Sequence, residues 1–342
     1  MTARTMLTAA IVGGVLVIAG CSGPSRVATA NPSPSRAAVD ATSGSPAITL
    51  QQALVQVVKN VNPSVVQIET DRGLGSGVIF DASGDIVTNY HVVQGGRTFR
   101  VTLSDGRQFP ATVVGTFAPD DLAVVKISAP SLHPASFGDS SKLEVGDIVL
   151  AIGNPLGFQS SVTEGIVSAV GRTVDEGNGT TLPNVIQSSA AINPGNSGGA
   201  LVDLNGMVIG IPTLVAIDQQ LGGSAPGIGF AISSATFVDI ANQLIQNGKV
   251  TNSHRAYIGV RVGNARGVGV YISAVTAGGP ADKAGIKAGD IVTSIDGKAT
   301  ADTIALSDVL ASMQPGQTVK VNINRANGST ATVNVTLGQL PG

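Results

Sequence analysis

The sequence contains few of the residues on which several protein classes depend. Its 342 residues include one cysteine, three histidines and no tryptophan, and aromatic residues make up only 3%. A single cysteine excludes an intrachain disulfide framework. Charged residues make up 12% and the formal net charge is −2, without a basic stripe, so no nucleic-acid partner is expected. We also expect no cofactor and no metal ion.

The N-terminal region predicts the compartment of the protein. An apolar run at residues 9–18 follows Arg4 and is too short for a comfortable membrane span. It leads into Ile18-Ala19-Gly20-Cys21, which resembles the bacterial lipobox. We therefore expect residues 1–20 to be a lipoprotein signal peptide and Cys21 to carry a lipid anchor. The alternative is an uncleaved signal anchor with an incidental cysteine. The predicted location is the bacterial cell envelope, outside the cytoplasm and attached to the membrane.

Glycine, in contrast, is abundant at 44 residues, which is typical of many short strands joined by tight turns. Residues 21–47 are rich in Ser, Pro and Ala and predict a disordered tether. A helix is then predicted from about Leu50, with Thr49 as its N-cap and Pro63 after its end. From Val65 to about residue 232, short strand patterns follow one another without βαβ alternation, which indicates an antiparallel sandwich or barrel.

The rest of the chain predicts a second, smaller domain. A helix capped by Ser234 and ended by Gly248 closes the first region. A new pattern of short strands with two short helices begins near Tyr257. Its last two strands flank Asn327-Gly328, which predicts a hairpin with a type I′ turn.

Three residues suggest nucleophilic catalysis. Ser197 lies among glycines at residues 195–199, where backbone N–H groups can approach a reacting carbonyl without Cβ obstruction. A plain hairpin turn would fit the same residues. His91 follows a predicted strand and Asp121 precedes one, so the chain offers the base and the carboxylate that activate a serine hydroxyl. His91 alone would suit a surface position, and Asp120 competes with Asp121 for the carboxylate role.

Five short motifs follow one another along the chain: Thr88-Asn89-Tyr90-His91-Val92-Val93, Asp121-Leu122-Ala123-Val124, Gly153-Asn154-Pro155-Leu156-Gly157, Thr163-Glu164-Gly165-Ile166-Val167-Ser168 and Gly195-Asn196-Ser197-Gly198-Gly199. They closely resemble the HtrA/Deg family of serine proteases, and the domain from Tyr257 onward resembles the PDZ domain that follows the protease in that family. The resemblance implies a mostly β fold, with a chymotrypsin-like double antiparallel β-barrel at residues 48–250 and an α+β PDZ domain at residues 256–338. It further implies an ATP-independent endopeptidase that cuts unfolded or damaged envelope proteins, with a trimeric protease core.

The resemblance also assigns roles to particular residues. Ser197 is the implied nucleophile, His91 the general base and acid, and Asp121, directly before the Leu-Ala-Val run, the orienting carboxylate. The implied oxyanion hole is formed by the N–H groups of Gly195, Asn196 and Ser197. The neutral residues Ala191, Ile192 and Ile228 suggest a specificity pocket for small aliphatic side chains. The loop formed by Tyr257, Ile258, Gly259 and Val260 is expected to bind the carboxylate of a peptide C-terminus.

The sequence departs from the family pattern in two places, and two alternative functions also fit part of it. Phe117 stands where the family often has an aspartate, and only Asp71-Arg72 separates the first two strands, so a long regulatory loop is missing there. Gly195–Gly199 also fits the nucleophile elbow of α/β-hydrolases, but that fold needs a downstream histidine and a parallel sheet. The other alternative is a chaperone or peptide-sensing scaffold with little proteolysis, against which the complete triad argues.

Overall fold

The computed structural model describes residues 46–154, 161–175, 181–193, 195–218, 223–265 and 267–342. The predicted signal peptide, Cys21 and the tether up to residue 45 lie outside the described residues. So does part of the Gly153–Gly157 motif. Within the described ranges, no helix combines the length and the apolar character needed to cross a membrane.

The helix α1 (Pro46–Val61) starts four residues before the predicted position. Proline favours the first helical position because its missing N–H is not needed there and its φ is already helical. Thr49 consequently lies inside the helix, so its prediction as the N-cap is wrong, and the helix includes the last two residues of the predicted tether. The predicted apolar face is nevertheless the one that packs, with Val57 and Val61 buried.

A first closed barrel follows, with its six antiparallel strands in the spatial order β1-β2-β3-β6-β5-β4. The strands and the short helix after β3 are β1 (Val65–Thr70), β2 (Leu74–Ile79), β3 (Asp85–Thr88), α2 (Tyr90–Val93), β4 (Phe99–Thr102), β5 (Gln108–Phe117) and β6 (Leu122–Lys126). Apolar side chains from all six strands meet inside the barrel, most of them branched, and Ile68, Ile86 and Val125 are completely buried there. This matches the strand preference of β-branched residues.

A second closed barrel has the order β10-β11-β12-β9-β8-β7. Its strands are β7 (Ile148–Gly153), β8 (Ser161–Asp175), β9 (Thr181–Ser188), β10 (Ala200–Val202), β11 (Val208–Asp218) and β12 (Gly223–Ser233). The helix α3 (Ser234–Asn247) then ends at Gly248, whose φ of 69° provides the predicted left-handed cap. Its N-cap is Ser233 rather than the predicted Ser234, because the Ser234 hydroxyl is used elsewhere, donating to the Gly138 carbonyl at 2.6 Å.

Both barrels share one hydrophobic core with α1 and α3. Phe117 from the first barrel, Ile152 from the second and Phe237 from α3 are all less than 2% exposed in this cluster. The barrels therefore pack against each other, and loops from both meet along the seam. Closed antiparallel barrels also exclude the parallel sheet of an α/β-hydrolase, and the predicted mostly β fold is confirmed.

The C-terminal part is a small sheet with two helices. One five-stranded path runs β14-β15-β16-β18-β19, β17 joins at β16, and β13 pairs with β20. The elements are β13 (Ala256–Tyr257), β14 (Val260–Ala265), β15 (Gly269–Val275), α4 (Pro280–Lys283), β16 (Ile291–Ile295), β17 (Lys298–Ala299), α5 (Thr303–Ala311), β18 (Thr318–Asn324), β19 (Thr330–Thr336) and β20 (Gly338–Gln339). Their apolar side chains form a separate core that includes Val270, Val292 and Val321.

The hairpin between β18 and β19 forms, but with a different turn from the predicted one. A type I′ turn needs positive φ at both central residues, whereas Gly328 has a φ of 84° and Asn327 is not among the residues with positive φ. The Gly328 N–H donates to the Arg325 carbonyl at 2.9 Å, and the Arg325 N–H donates to the Ser329 carbonyl at 2.7 Å. These bonds define a three-residue loop that ends in a left-handed glycine.

Candidate active site

The fold brings His91 and Asp121 together through the pairing of two strands. His91 lies in α2, directly after β3, and Asp121 directly precedes β6. Since β3 and β6 are antiparallel neighbours, with Thr88 opposite Ala123, the end of one strand meets the start of the other. Ser197 comes from the second barrel, in the loop before β10. All three residues therefore lie at the seam between the barrels.

The contact between His91 and Asp121 is bidentate. The Nδ1 atom of His91 lies 2.8 Å from Oδ2 of Asp121, and the backbone N–H of His91 donates to Oδ1 at 2.9 Å. Asp121 is 3% exposed at its side chain and His91 is 43% exposed, so the carboxylate is sheltered while the imidazole reaches the cleft. A buried carboxylate at Nδ1 orients the ring and stabilises its cation, and it leaves Nε2 as the nitrogen available to accept a proton.

The backbone of Asp121 is held in a strained conformation that its neighbours support. Its φ is 50°, in the left-handed region that an aspartate visits more readily than most side chains do. Its carbonyl accepts hydrogen bonds from the Tyr90 N–H at 3.0 Å and from Nδ2 of Asn89 at 3.1 Å. These hydrogen bonds hold the segment before His91 against the segment before β6.

Thr213 on β11 is a functional residue that sequence reasoning missed. Its hydroxyl donates to Oδ2 of Asp121 at 2.6 Å, and its carbonyl lies 3.5 Å from Oγ of Ser197. It therefore connects the carboxylate of the first barrel to the serine of the second. The only sequence signal was a polar residue within the apolar run at residues 208–215.

His91, Ser197 and Thr213 line one cleft of about 360 Å³. The other residues along it are Thr70, Arg72, Gly73, Leu74, Val92, Gln94, Ile192, Asn193 and Gly195. Residues from both barrels contribute to it. An extended polypeptide segment that lies in this cleft reaches the serine and the histidine at the same time.

The loop that carries Ser197 contains a backbone hydrogen bond. The Asn196 N–H donates to the Asn193 carbonyl at 2.9 Å, and Gly195 has a φ of 106°. Glycine adopts such a positive φ without a Cβ clash, which explains its presence here. The Asn196 N–H is thus used inside the loop, so the predicted role of Asn196 as an oxyanion-hole donor is not supported. Gly195 and Ser197 remain as the proposed donors.

Of the three residues predicted for the specificity pocket, Ile192 lines the cleft and is 6% exposed. A Cβ atom at Gly229 would fall 2.5 Å from Cγ1 of Ile192, so glycine is required beside it. Ala191 is exposed, its carbonyl accepts from the Thr163 hydroxyl at 2.7 Å, and it does not line the cleft. Ile228 is half-buried, next to Gly229 on β12, and is likewise outside the cleft lining.

Asp120, the competing carboxylate, faces away from His91 and forms an ion pair with Arg255 in the segment after α3. Nη1 of Arg255 also donates to the Pro119 carbonyl at 2.9 Å. Burial raises the pKa of Asp120, and the Arg255 guanidinium opposes that increase. Asp120 and Asp121 are adjacent in sequence but have different partners, since Asp120 pairs with Arg255 and Asp121 contacts His91.

The loop Tyr257–Val260 lies at one end of an apolar groove of about 390 Å³. Val260 and Val262 of β14 and Leu306 and Leu310 of α5 line it. Four residues of the protease part also contribute to the lining, namely Ala118, Pro119, Thr181 and Pro183. Gly259 in the loop has a φ of 83°. A groove between a strand and a helix, with a glycine loop at its end, is suited to an extended peptide that adds to the strand.

Among the described residues, no group of three or more histidine, cysteine, aspartate or glutamate side chains could hold a metal ion. His254, which the sequence did not connect to catalysis, lies with Nε2 3.5 Å from Oδ2 of Asp239 at the surface.

The two parts of the fold match two different families of known proteins. Residues 75–211 match the family described as trypsin-like peptidase domain, and residues 256–337 match the PDZ domain family. The chain is 41% identical over 338 residues to Serine protease PepD of Mycobacterium tuberculosis. The alignment covers 91% of this chain and 72% of the relative.

Two further relatives add to this comparison. The chain is 41% identical over 280 residues to the probable periplasmic serine endoprotease DegP-like of Brucella suis, which covers 78% of this chain. The chain spans about half of that relative, 53% of its length. A solved structure of the HtrA-type protease AlgW with a decapeptide superposes with a TM-score of 0.62 at 33% identity, covering 84% of this chain and 99% of that structure.

Proposed function

Because the chain belongs to the HtrA/Deg family of serine proteases and is a serine endopeptidase, we propose that His91, Asp121 and Ser197 form its catalytic triad. The observation that carries this proposal is the bidentate contact between His91 and a buried Asp121 in the cleft that Ser197 also lines. A serine hydroxyl becomes an effective nucleophile when an oriented imidazole accepts its proton.

In the proposed reaction, Oγ of Ser197 attacks the carbonyl carbon of the scissile peptide bond while Nε2 of His91 takes the hydroxyl proton. Asp121 stays ionised and stabilises the imidazolium. The N–H groups of Gly195 and Ser197 stabilise the oxyanion of the tetrahedral intermediate. His91 then gives its proton to the leaving amine, and water releases the acyl group by the reverse sequence of proton transfers.

We propose unfolded or damaged polypeptides of the cell envelope as substrates. The periplasmic relative supports the location. His91 and Ser197 line the same cleft, where an extended segment can contact both, and this supports the preference for unfolded chains. The neutral Ile192 and the close approach to Gly229 favour small aliphatic side chains before the scissile bond.

The test is digestion of β-casein by the wild-type protein and by Ser197→Ala. Loss of a triad member lowers the rate by roughly 10⁴–10⁶-fold. Because the hydroxyl packs little, the melting temperature of the variant should match that of wild type. Cleavage by the folded variant at the wild-type rate would refute the assignment.

The apolar groove at Tyr257–Val260 is proposed to bind the C-terminus of a peptide. Consecutive backbone N–H groups at a glycine loop bind a carboxylate, while the apolar sides of the groove receive the last side chains. The solved AlgW structure was obtained with a decapeptide, so that related protein binds peptides. The affinity for a peptide with a free C-terminus should exceed the affinity for its C-terminal amide.

Two further parts of the proposal concern the assembly. Cys21 is proposed to carry a lipid that anchors the chain to the membrane. Metabolic labelling with a palmitate analogue should therefore be lost in Cys21→Ala. Label retained in the variant would refute the anchor.

The protease part is proposed to form a homotrimer. Analytical ultracentrifugation should then give three times the chain mass of 34.1 kDa, less the signal peptide.

A further inference from the structure

Ser76 on β2 lies where both barrels meet the loop that carries the nucleophile. It is 0% exposed, and the mechanism above gives it no role. In the sequence it only marks the start of a predicted strand. Its hydroxyl and its N–H contact the residues around Ser197 and the end of β7.

The hydroxyl of Ser76 has two partners on the opposite side of the seam. It donates to the Gly195 carbonyl at 2.5 Å and accepts from the Asn154 N–H at 2.8 Å. Asn154 directly follows β7 of the second barrel. One hydroxyl of the first barrel thus joins the end of a second-barrel strand to the nucleophile loop.

The backbone of Ser76 contacts the same loop. Its N–H donates to the Ser197 carbonyl at 2.9 Å, so Ser76 holds the carbonyls of both Gly195 and Ser197. Its own carbonyl accepts from the Thr88 hydroxyl at 2.7 Å, which fixes Ser76 in turn. Gly195 and Ser197 are also the two residues whose N–H groups are the proposed oxyanion donors.

The loop packs closely against both barrels at two glycines near these contacts. A Cβ atom at Gly198 would fall 2.3 Å from the Ser76 carbonyl oxygen, and one at Gly153 would fall 2.8 Å from the Gly195 carbonyl oxygen. The backbone of the loop therefore packs directly against the strands of both barrels. In such a site, the direction of each peptide group depends on its hydrogen-bond partners.

We propose that Ser76 is a positioning residue for the oxyanion hole, an inference that rests on the proposed triad and its donors. By holding the carbonyls of Gly195 and Ser197, Ser76 fixes the peptide group that directly follows each donor residue, and so fixes the backbone from which the N–H groups of Gly195 and Ser197 point toward the oxyanion. An oxyanion hole acts through donors already oriented before charge develops, so looser donors weaken binding of the transition state more than binding of the substrate.

The experiment compares Ser76→Ala with Ser234→Ala in the full-length protein. Ser234 is a matched control because it is also buried, donates to a backbone carbonyl at 2.6 Å, and accepts a backbone N–H at 3.0 Å, but lies at the start of α3. The measurements are kcat and KM on a peptide p-nitroanilide with valine before the scissile bond, inhibition by the matching peptide boronate, and melting temperature. Ser76→Cys, whose thiol is a weak donor, is a second variant.

We expect Ser76→Ala to lower kcat by roughly 10- to 100-fold, less than the loss on deleting an oxyanion donor. KM should stay within about twofold, as expected when only transition-state binding is lost. The affinity for the boronate, whose tetrahedral adduct occupies the oxyanion hole, should fall by a similar factor. Ser76→Cys should lie between wild type and Ser76→Ala, and Ser234→Ala should keep its kcat.

Equal kcat values for Ser76→Ala and Ser234→Ala would overturn the proposal. So would a Ser76→Ala variant with a raised KM and unchanged kcat, or one with a lower kcat and unchanged affinity for the boronate. If Ser76→Ala does not fold, the same comparison with Ser76→Cys decides. A wild-type protein that binds the boronate but leaves the p-nitroanilide uncut contradicts turnover by the proposed triad. The boronate affinities of wild type and Ser76→Ala then decide the role of Ser76 separately.

Discussion

At the scale of single residues, Asp121 accepts hydrogen bonds from three donors. Its Oδ1 atom accepts from the His91 backbone N–H, and its Oδ2 atom faces both Nδ1 of His91 and the Thr213 hydroxyl. Each donor stabilises the ionised carboxylate in a site where it is 3% exposed. The charge that orients His91 is therefore itself oriented by Thr213.

Replacing Thr213 with valine should lower kcat/KM by roughly tenfold, because a hydrogen bond to a charged group contributes about 1.5–3 kcal/mol. The carboxylate, with one donor fewer, should stabilise the imidazolium more, so the acid limb of the pH–rate profile should move to higher pH. Initial rates from pH 5 to 9 measure both effects.

Thr102→Val is the matched control for this change. Thr102 on β4 is also buried, and its hydroxyl oxygen has no hydrogen-bond partner within the described residues, so its removal should leave the pH–rate profile unchanged. Identical profiles for both variants would contradict the role given to Thr213.

His91, Asp121 and Ser197 could be proposed from the sequence because each lies within a short motif with a recognisable order. Thr213 and Ser76 could not, because their roles arise from contacts across 92 and 119 positions of the chain. Such contacts exist only after the barrels close. A threonine within an apolar strand, or a serine between two glycines, has many possible partners before that.

At the scale of elements, periodicity predicted the strands and helices but not their exact ends. Glycine at position 248 ended α3 as predicted because a left-handed C-cap is a local property. The N-terminal caps of α1 and α3 were misplaced, since a neighbouring proline or a tertiary contact decided which residue began each helix. The turn after β18 differed for a similar reason, because strand register selected a three-residue loop.

The groove between β14 and α5 provides a test at this scale. Val262 lines the groove, whereas Arg261, one residue earlier on β14, is exposed and outside it. Val262→Glu should weaken binding of a peptide with an aliphatic free C-terminus by roughly tenfold or more, because a charge in an apolar groove loses hydration. Isothermal titration calorimetry measures the affinity.

Arg261→Glu introduces the same side chain on the opposite face of β14 and serves as the control. The affinity of Arg261→Glu for the peptide should stay within about twofold of wild type. The new charge lies in solvent, where salt screens its interaction with the peptide. Unchanged binding by Val262→Glu would show that the peptide binds elsewhere.

At the scale of the whole molecule, Arg255 joins the protease part to the C-terminal part. Besides the ion pair with Asp120, it donates to the Pro119 carbonyl at 2.9 Å and to the Thr181 carbonyl at 3.3 Å. Asp120 directly precedes Asp121 of the active site. The segment between the domains is therefore anchored at the turn that leads into Asp121, the proposed catalytic carboxylate.

Arg255→Ala should destabilise the protein by about 3 kcal/mol at pH 7, because it leaves the buried Asp120 carboxylate without its cation. Burial raises the pKa of Asp120, and losing Arg255 raises it further. A raised carboxyl pKa gives stability that is full at low pH and is lost as pH rises through the folded-state value. The destabilisation should therefore be smaller at pH 5 than at pH 7.5, as measured by urea unfolding.

Arg100→Ala is the control for this prediction. Arg100 lies 3.8 Å from Glu69 in a pair whose side chains are both about half exposed, so its loss should change stability by less than about 1 kcal/mol at either pH. An effect of Arg255→Ala that does not depend on pH would contradict the buried charge at Asp120.

The central claim is that Ser197 is a nucleophile activated by His91, and covalent labelling tests it most directly. The folded protein is treated with a fluorophosphonate, digested and mapped by mass spectrometry, alongside Ser197→Ala and His91→Ala. We predict one adduct on Ser197 in wild type, none in Ser197→Ala, and labelling in His91→Ala slower by at least roughly 10³-fold, since the hydroxyl loses its base. An adduct on another serine, or equally fast labelling in His91→Ala, would contradict the account.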